Sequence, residues 1–471
     1  MNKNIWTLYG HRLFLWGFSL SSFYLVSHLN SKNMKKKYLI TTLFILAIAL
    51  SNRVHSQSLP YPALIGYWQN WSSTSLTAID SRYNVIEVAF PLAQSGTDYN
   101  ISNLSFGPHS FSTFKSAIQT LQGQGKKVLL SLGGASQPIY LNDVNEKNTF
   151  VSSVGNLLDT YGFDGIDIDL ESSSLAFSTI KMTNNTDAGL VNMIAGIQEI
   201  LANYQTTHSK RCLLTMAPEV IYVQGGYQYN NSRSGAYLPI IDALRNDIDM
   251  LQVQLYNVGD YIKALDGKTY TEGTADFIVA MTEMVIRGFT ASKLSGGSAA
   301  FAGLPAHKVA VGLPSCSNSA SGYVNATVRQ QAIDYLRGVG VKPGTYALLT
   351  PGGHPTLGGI MTWSINEDKV CNPSYGIASS FQTIFAGVGN AIEDHTVNSL
   401  SIYPNPTDGI FKIETISVNP NASFILYNPL GQIIYRENIN GNSSTSFDFS
   451  FLEGGLYVVQ IGQETRKLLI R

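Results

Sequence analysis

The stretch Asp164-Gly165-Ile166-Asp167-Ile168-Asp169-Leu170-Glu171 decides how the rest of the chain is read. As a strand it puts Asp167, Asp169 and Glu171 on one face and Ile166, Ile168 and Leu170 on the other. Three carboxyls side by side repel one another. They coexist only where protons or hydrogen bonds are shared, which drives their pKa values apart and suits general-acid chemistry near neutral pH. A calcium loop would need oxygen ligands around a Gly-containing turn, whereas the intervening residues here are apolar.

Working outward, short apolar runs alternate with longer amphipathic segments, the pattern of parallel strands joined by helices. The runs are 64–68, 83–90, 127–132, 163–170, 211–217, 250–256, 308–313 and 359–364. Helices are expected at 111–122, 145–161, 187–204, 237–245, 276–286 and 327–336. Eight such repeats predict an α/β fold, a (β/α)8 TIM barrel over 57–386. Catalytic groups of such a barrel stand at the C-terminal ends of the strands, and the carboxylate row ends the fourth. Tyr67 and Trp68 on the first strand, Ser131 on the third, Met216 on the fifth, Gln254 and Tyr256 on the sixth and Trp363 on the eighth converge on the same rim. Asp164 has the opposite parity from Asp167 and reads as structural, bonding backbone near the strand entrance.

The ends have a different character. Lys35-Lys36-Lys37, the apolar run Tyr38 to Leu50 and Val54-His55-Ser56 before Gln57 read as a signal peptide over 34–56. Its apolar core is too short to favour a membrane span. Met34 is the expected initiator, which makes 1–33 a spurious upstream extension, and no stable membrane span is expected after processing. Residues 387–399 read as a linker, and 400–471 alternate in short strand periods broken by Asn, Gly and Pro, predicting a small β-sandwich.

With 31 Lys and Arg against 32 Asp and Glu, and 13% charged residues, nothing supplies the basic face that nucleic acid requires. The 25 tyrosines and 42 glycines suit a surface that stacks against and hydrogen-bonds neutral sugars. The three cysteines, Cys212, Cys316 and Cys371, show no CxxC spacing and no paired His, so neither metal nor cofactor is expected. In the barrel order, Cys316 and Cys371 follow adjacent strands on one rim, which puts a disulfide within reach and leaves Cys212 as a buried thiol.

These residues resemble glycoside hydrolase family 18, the chitinase family, whose fourth-strand pattern DxxDxDxE is matched by Asp164, Asp167, Asp169 and Glu171. Its SxGG block is matched by Ser131-Leu132-Gly133-Gly134. Met216-Ala217-Pro218-Glu219, Gln254-Leu255-Tyr256-Asn257 and Met361-Thr362-Trp363-Ser364 add to the likeness, and the QxYN form resembles the bacterial, fungal and plant class III branch. The resemblance implies substrate-assisted, retaining hydrolysis of β-1,4 links between N-acetylglucosamine units in chitin or its oligomers. By it, Glu171 is the acid and base, Asp169 holds the substrate acetamide, Asp167 shares a proton with Asp169, and Tyr256 pins the acetamido oxygen. Trp363 is then the apolar floor, with Gln254, Asn257, Met216 and Tyr67 around the substrate. An endo-β-N-acetylglucosaminidase acting on N-glycans and a lectin-like chitin binder are the competing readings.

The tail has its own resemblance. Tyr403-Pro404-Asn405-Pro406, Gly455-Leu456-Tyr457-Val458-Val459 and Lys467-Leu468-Leu469-Ile470-Arg471 are similar to the C-terminal sorting domain of the Bacteroidetes type IX secretion system. That implies export to the cell surface or medium, with the secretion machinery as partner. A carbohydrate-binding role is disfavoured because the tail contains no tryptophan.

Overall fold

A computed structural model of the chain describes residues 57–386, 400–415, 423–428, 433–438, 444–461 and 464–471. The expected upstream extension, signal peptide and linker lie outside the described residues. Eight parallel strands form one sheet: β1 Ala63–Gln69, β2 Val85–Ala89, β3 Lys127–Gly133, β4 Gly165–Asp169, β5 Leu213–Met216, β6 Met250–Leu251, β7 Ala310–Pro314 and β8 Gly359–Trp363. Their order is β7-β8-β1-β2-β3-β4-β5-β6. Parallel bridges from Leu251 to Val309 and from Gln254 to Gly312 join β6 to β7 and close the barrel.

The expected run 250–256 is a regular strand only at its first two residues. Beyond them the backbone is irregular, tied by Gln254 N–H to the Pro218 carbonyl at 2.9 Å and Leu255 N–H to the Gly312 carbonyl at 3.0 Å.

Helices α1 Phe111–Gly123, α2 Val144–Tyr161, α3 Ala188–His208, α4 Leu238–Ala243, α5 Ala275–Arg287, α6 Ala326–Leu336 and α7 Gly376–Ile384 surround the strands. The first, second, third, fifth and sixth start where Ser110, Asp143, Asp187, Thr274 and Asn325 each accept an orphan backbone N–H. Two apolar layers result. Outward strand residues such as Leu64, Ile86, Val128, Ile166 and Ile168 pack with the helices. Inward residues Ile65, Val85, Leu129, Leu213 and Met361 form a second cluster that plugs the barrel. Above this plug, towards the C-terminal rim, the inward positions turn polar at Ser131, Asp167 and Thr215.

The described residues from 400 onward form two antiparallel sheets, one of three strands and one of four, as a sandwich should. Phe411, Phe424, Phe447 and Phe449 stack between them, with Phe424 and Phe447 centroids 3.9 Å apart. The Cys316–Cys371 disulfide is formed, and Cys212 is a buried free thiol. No described helix is long and apolar enough to cross a membrane.

Candidate active site

Strand β4 carries the carboxylate row into the barrel because its neighbours leave room for it. Asp167 lies opposite Ser131 on β3 and Thr215 on β5, and Asp169 opposite Gly133. Gly133 has φ +117°, and a Cβ there would lie 2.1 Å from the Asp169 carbonyl oxygen. The adjacent Gly134 donates its N–H to that same oxygen at 2.7 Å. The Ser-x-Gly-Gly block thus supplies one side-chain donor and two points of close backbone approach. Asp164 faces the other way: its Oδ2 accepts the Val128 N–H at 3.0 Å and the Gln122 amide at 3.0 Å.

Asp167 sits fully buried among hydroxyls. Tyr67 donates to its Oδ2 at 2.8 Å, Ser131 to the same oxygen at 2.6 Å, and the Thr215 hydroxyl lies 2.8 Å from Oδ1. Burial raises its pKa, and these donors hold the rise down. The charge of Asp167 raises the pKa of Asp169, yet the hydroxyls that serve Asp167 do not serve Asp169. Asp169 instead accepts from Gln254 Nε2 at 2.9 Å and is hydrogen-bonded to Glu171.

Glu171 lies two residues beyond the end of β4 and reaches the cavity. Gln254 Nε2 lies 3.1 Å from its Oε1 and 2.9 Å from the Ala217 carbonyl. Burial foremost, with the charge of Glu219 adding to it, pushes Glu171 up to about 7 against the Gln254 and Asp169 hydrogen bonds. Asp169 is pushed well above the carboxylate range by burial and then by the charges of Glu171 and Asp167. Such a row can carry a proton on its outermost member at neutral pH and deliver it to a group in the cavity.

The cavity above these groups has a volume of about 600 Å³ and is lined by Asp169, Glu171, Glu219, Gln254, Tyr256, Asn257 and Trp363, with Trp71, Phe90 and Asn70. Trp363 stacks on Phe90 at 6.0 Å with 13° between the planes, and Tyr67 tilts against Trp363 at 5.4 Å. Trp71 extends this aromatic wall at 6.5 Å from Phe90 and is 56% exposed. An indole floor bordered by carboxyls and amides is the surface a sugar ring needs: apolar below its C–H face, polar at its edges.

Of the residues singled out from sequence, Glu171, Asp169, Tyr256, Trp363, Gln254 and Asn257 line the cavity. Asp167 and Tyr67 lie beneath it, joined by their hydrogen bond. Met216 is a correction. It pairs with Ile168 and packs with it in the outer apolar layer, because Thr215 and Ala217 hold the inward parity on β5. Sequence reading missed Glu87, Glu219, Trp71 and Phe90. Glu87 had a signal: a carboxylate inside the apolar run Val85-Ile86-Glu87-Val88-Ala89. Among the described residues no group of three or more His, Cys, Asp or Glu is placed to hold a metal ion.

Comparison with known proteins agrees with this geometry. Residues 63–338 match the family model described as glycosyl hydrolases family 18, and residues 401–471 match the secretion system C-terminal sorting domain. Chitinase D of Niallia circulans is 41% identical over 329 residues, which cover 67% of this chain and 60% of that protein. Chitinase ChiA of Flavobacterium johnsoniae is 32% identical over 432 residues, 86% of this chain and 27% of its own length. The chain thus spans less than two thirds of either relative. The crystal structure of a family GH18 chitinase from Chromobacterium violaceum superposes with a TM-score of 0.61 at 34% identity, covering 69% of this chain and 84% of that one.

Proposed function

The chain belongs to glycosyl hydrolases family 18, and from that premise we propose that it is a secreted, endo-acting chitinase that cleaves β-1,4 links between N-acetylglucosamine units with help from the substrate's own acetamide. The observation that carries this reading is Glu171, held near pKa 7 in the cavity beside a buried Asp169. The acetamido oxygen of the sugar at the cleavage point attacks its own anomeric carbon. As that bond forms, the glycosidic C–O bond breaks and Glu171 gives its proton to the leaving oxygen. Asp169 accepts the acetamido N–H and offsets the positive charge of the resulting oxazolinium. Water then adds to the anomeric carbon, returning a proton to Glu171 and opening the ring with configuration retained.

Tyr256, fully inside the site, donates its hydroxyl to the acetamido oxygen and keeps the nucleophile in line. Gln254 orients both carboxyls through one amide nitrogen. Trp363 carries the sugar ring, and Asn257 borders it. The sorting domain over 401–471 supports export by the type IX route and a location at the cell surface or outside the cell.

Thiazoline analogues of N-acetylglucosamine oligomers imitate the cyclic intermediate and test the substrate-assisted step. They are expected to inhibit competitively at concentrations well below those of the matching linear sugars. Failure to compete with substrate would contradict the mechanism. Release of glycan from a high-mannose glycopeptide without cleavage of chitooligosaccharides would move the specificity to N-glycans.

A further inference from the structure

Below the carboxylate row lies a second acid that the proposed mechanism does not use. Glu87 projects from β2 into the barrel and is 0% exposed. The Thr215 hydroxyl oxygen lies 2.8 Å from Glu87 Oε1 and 2.8 Å from Asp167 Oδ1. A hydroxyl has one hydrogen to give. If it goes to Asp167, the Glu87 contact becomes a bare approach of two oxygens unless Glu87 brings a proton of its own. If it goes to Glu87, the same demand falls on Asp167.

The surroundings decide between the two. Asp167 also receives the hydroxyls of Tyr67 and Ser131, so it has the better-stabilised anion. Glu87 receives, apart from Thr215, the Gln252 amide nitrogen, 2.7 Å from each of its oxygens, and it neighbours the Tyr67 hydroxyl, whose single hydrogen goes to Asp167. No Lys, Arg or His among the described residues makes an ion pair with either carboxyl. Two adjacent buried anions without a cation would be costly.

We infer that Glu87 holds a proton at neutral pH, donates it to the Thr215 hydroxyl, and through that hydroxyl fixes Asp167 as the anion beneath Asp169. Glu87 is then a positioning residue for the hydrolytic reaction, and this role rests on the reading given under Proposed function. The titratable groups around the network are Tyr67 on β1, Asp169 and Glu171 on or next to β4, Glu219 after β5 and Tyr256 after β6. Burial first and the charge of Asp167 second push Glu87 well above the carboxylate range, in agreement with the proton count. The charge fixed on Asp167 in turn raises the proton affinity of Asp169, which is hydrogen-bonded to Glu171. The alkaline side of the rate profile therefore depends on a residue that never touches substrate.

Carbon-13 NMR of the full chain labelled at glutamate carboxyls reads Glu87 directly and without turnover, so it stands even if the hydrolytic reading fails. The expected result is a carboxyl signal that stays protonated from about pH 5 to about pH 8, disappears in Glu87→Gln and persists in Glu171→Gln. A Glu87 signal that is deprotonated throughout that range overturns the inference.

The second readout is the pH profile of kcat/KM on N-acetylglucosamine oligomers. Thr215→Val cuts the link, lets the proton move to Asp167 and should shift the alkaline limb to lower pH by about half a unit or more. Thr215→Ser should restore the limb. An alkaline limb unmoved in a folded Thr215→Val protein would overturn the coupling. So would a limb displaced to lower pH in Glu87→Gln, since that is the signature of removing a buried negative charge. If Thr215→Val does not fold, the labelled-carboxyl titration and the Glu87→Gln profile decide alone.

Discussion

At the scale of single residues the chemistry turns on where protons reside. Glu171 must be protonated to act as an acid, and its pKa is raised from 4.5 to about 7 chiefly by burial. The rate on chitooligosaccharides should therefore fall as pH rises through about 7, a limb that Glu171→Gln cannot show. The same shift has a consequence for stability. Glu171 binds its proton more tightly folded than unfolded, so its contribution is full below about pH 4.5 and is lost as pH climbs past 7. Glu171→Gln is expected to be more stable than the parent chain at alkaline pH by roughly 1–3 kcal/mol, with the difference closing in acid. Thermal unfolding at both extremes checks this. Some of this residue-level picture was legible in sequence. Alternation alone put Asp167, Asp169 and Glu171 together, because parity is local. Glu87 and Thr215 were not legible as partners of Asp167, since their meeting depends on strand register across 80 and 48 residues of chain. Met216 failed for the same reason: its identity suited a pocket, but its register with Ile168 turns it outward.

At the scale of elements, the third strand is the support of the fourth. Gly133 adopts a left-handed φ of +117° and lets β3 approach the Asp169 carbonyl more closely than any side chain permits. Gly133→Ala should cost about 2 kcal/mol or more and displace Asp169, so activity is expected to fall further than the loss of folded protein explains. Circular dichroism melts beside rates per folded molecule separate the two. The Cys316–Cys371 bridge closes a loop with a sequence separation of 55 residues between the seventh and eighth strand ends. A chain-entropy account gives about 4 kcal/mol for such a loop. Reduction, or Cys316→Ser with Cys371→Ser, should lower the unfolding temperature with little change in rate, since neither cysteine lines the catalytic cavity. The strand and helix pattern was legible because periodicity is strong in buried parallel strands. The sixth strand was overestimated: its run 250–256 is apolar enough to predict a strand, but Gln254 and Tyr256 serve the cavity from irregular backbone.

At the scale of the whole molecule, the barrel and the C-terminal sandwich each have an apolar core of their own, with no residue common to both. A chain ending at Ala386 should therefore keep its turnover within about twofold while losing export, which fractionating cells that express each form would reveal. The family motifs in the barrel and in the tail were both readable from local residue patterns, whereas the shape of the sugar cleft was not. Trp71 and Phe90 join Trp363 only once the barrel closes. The central claim is that Glu171 drives cleavage of N-acetylglucosamine polymers, and mass spectrometry of N-acetylglucosamine hexamer incubated with the parent chain and with Glu171→Gln tests it most directly. Shorter oligomers are expected from the parent and at least ~10²-fold slower cleavage by the variant; an intact hexamer with the parent, or equal cleavage by both, would overturn the role of Glu171.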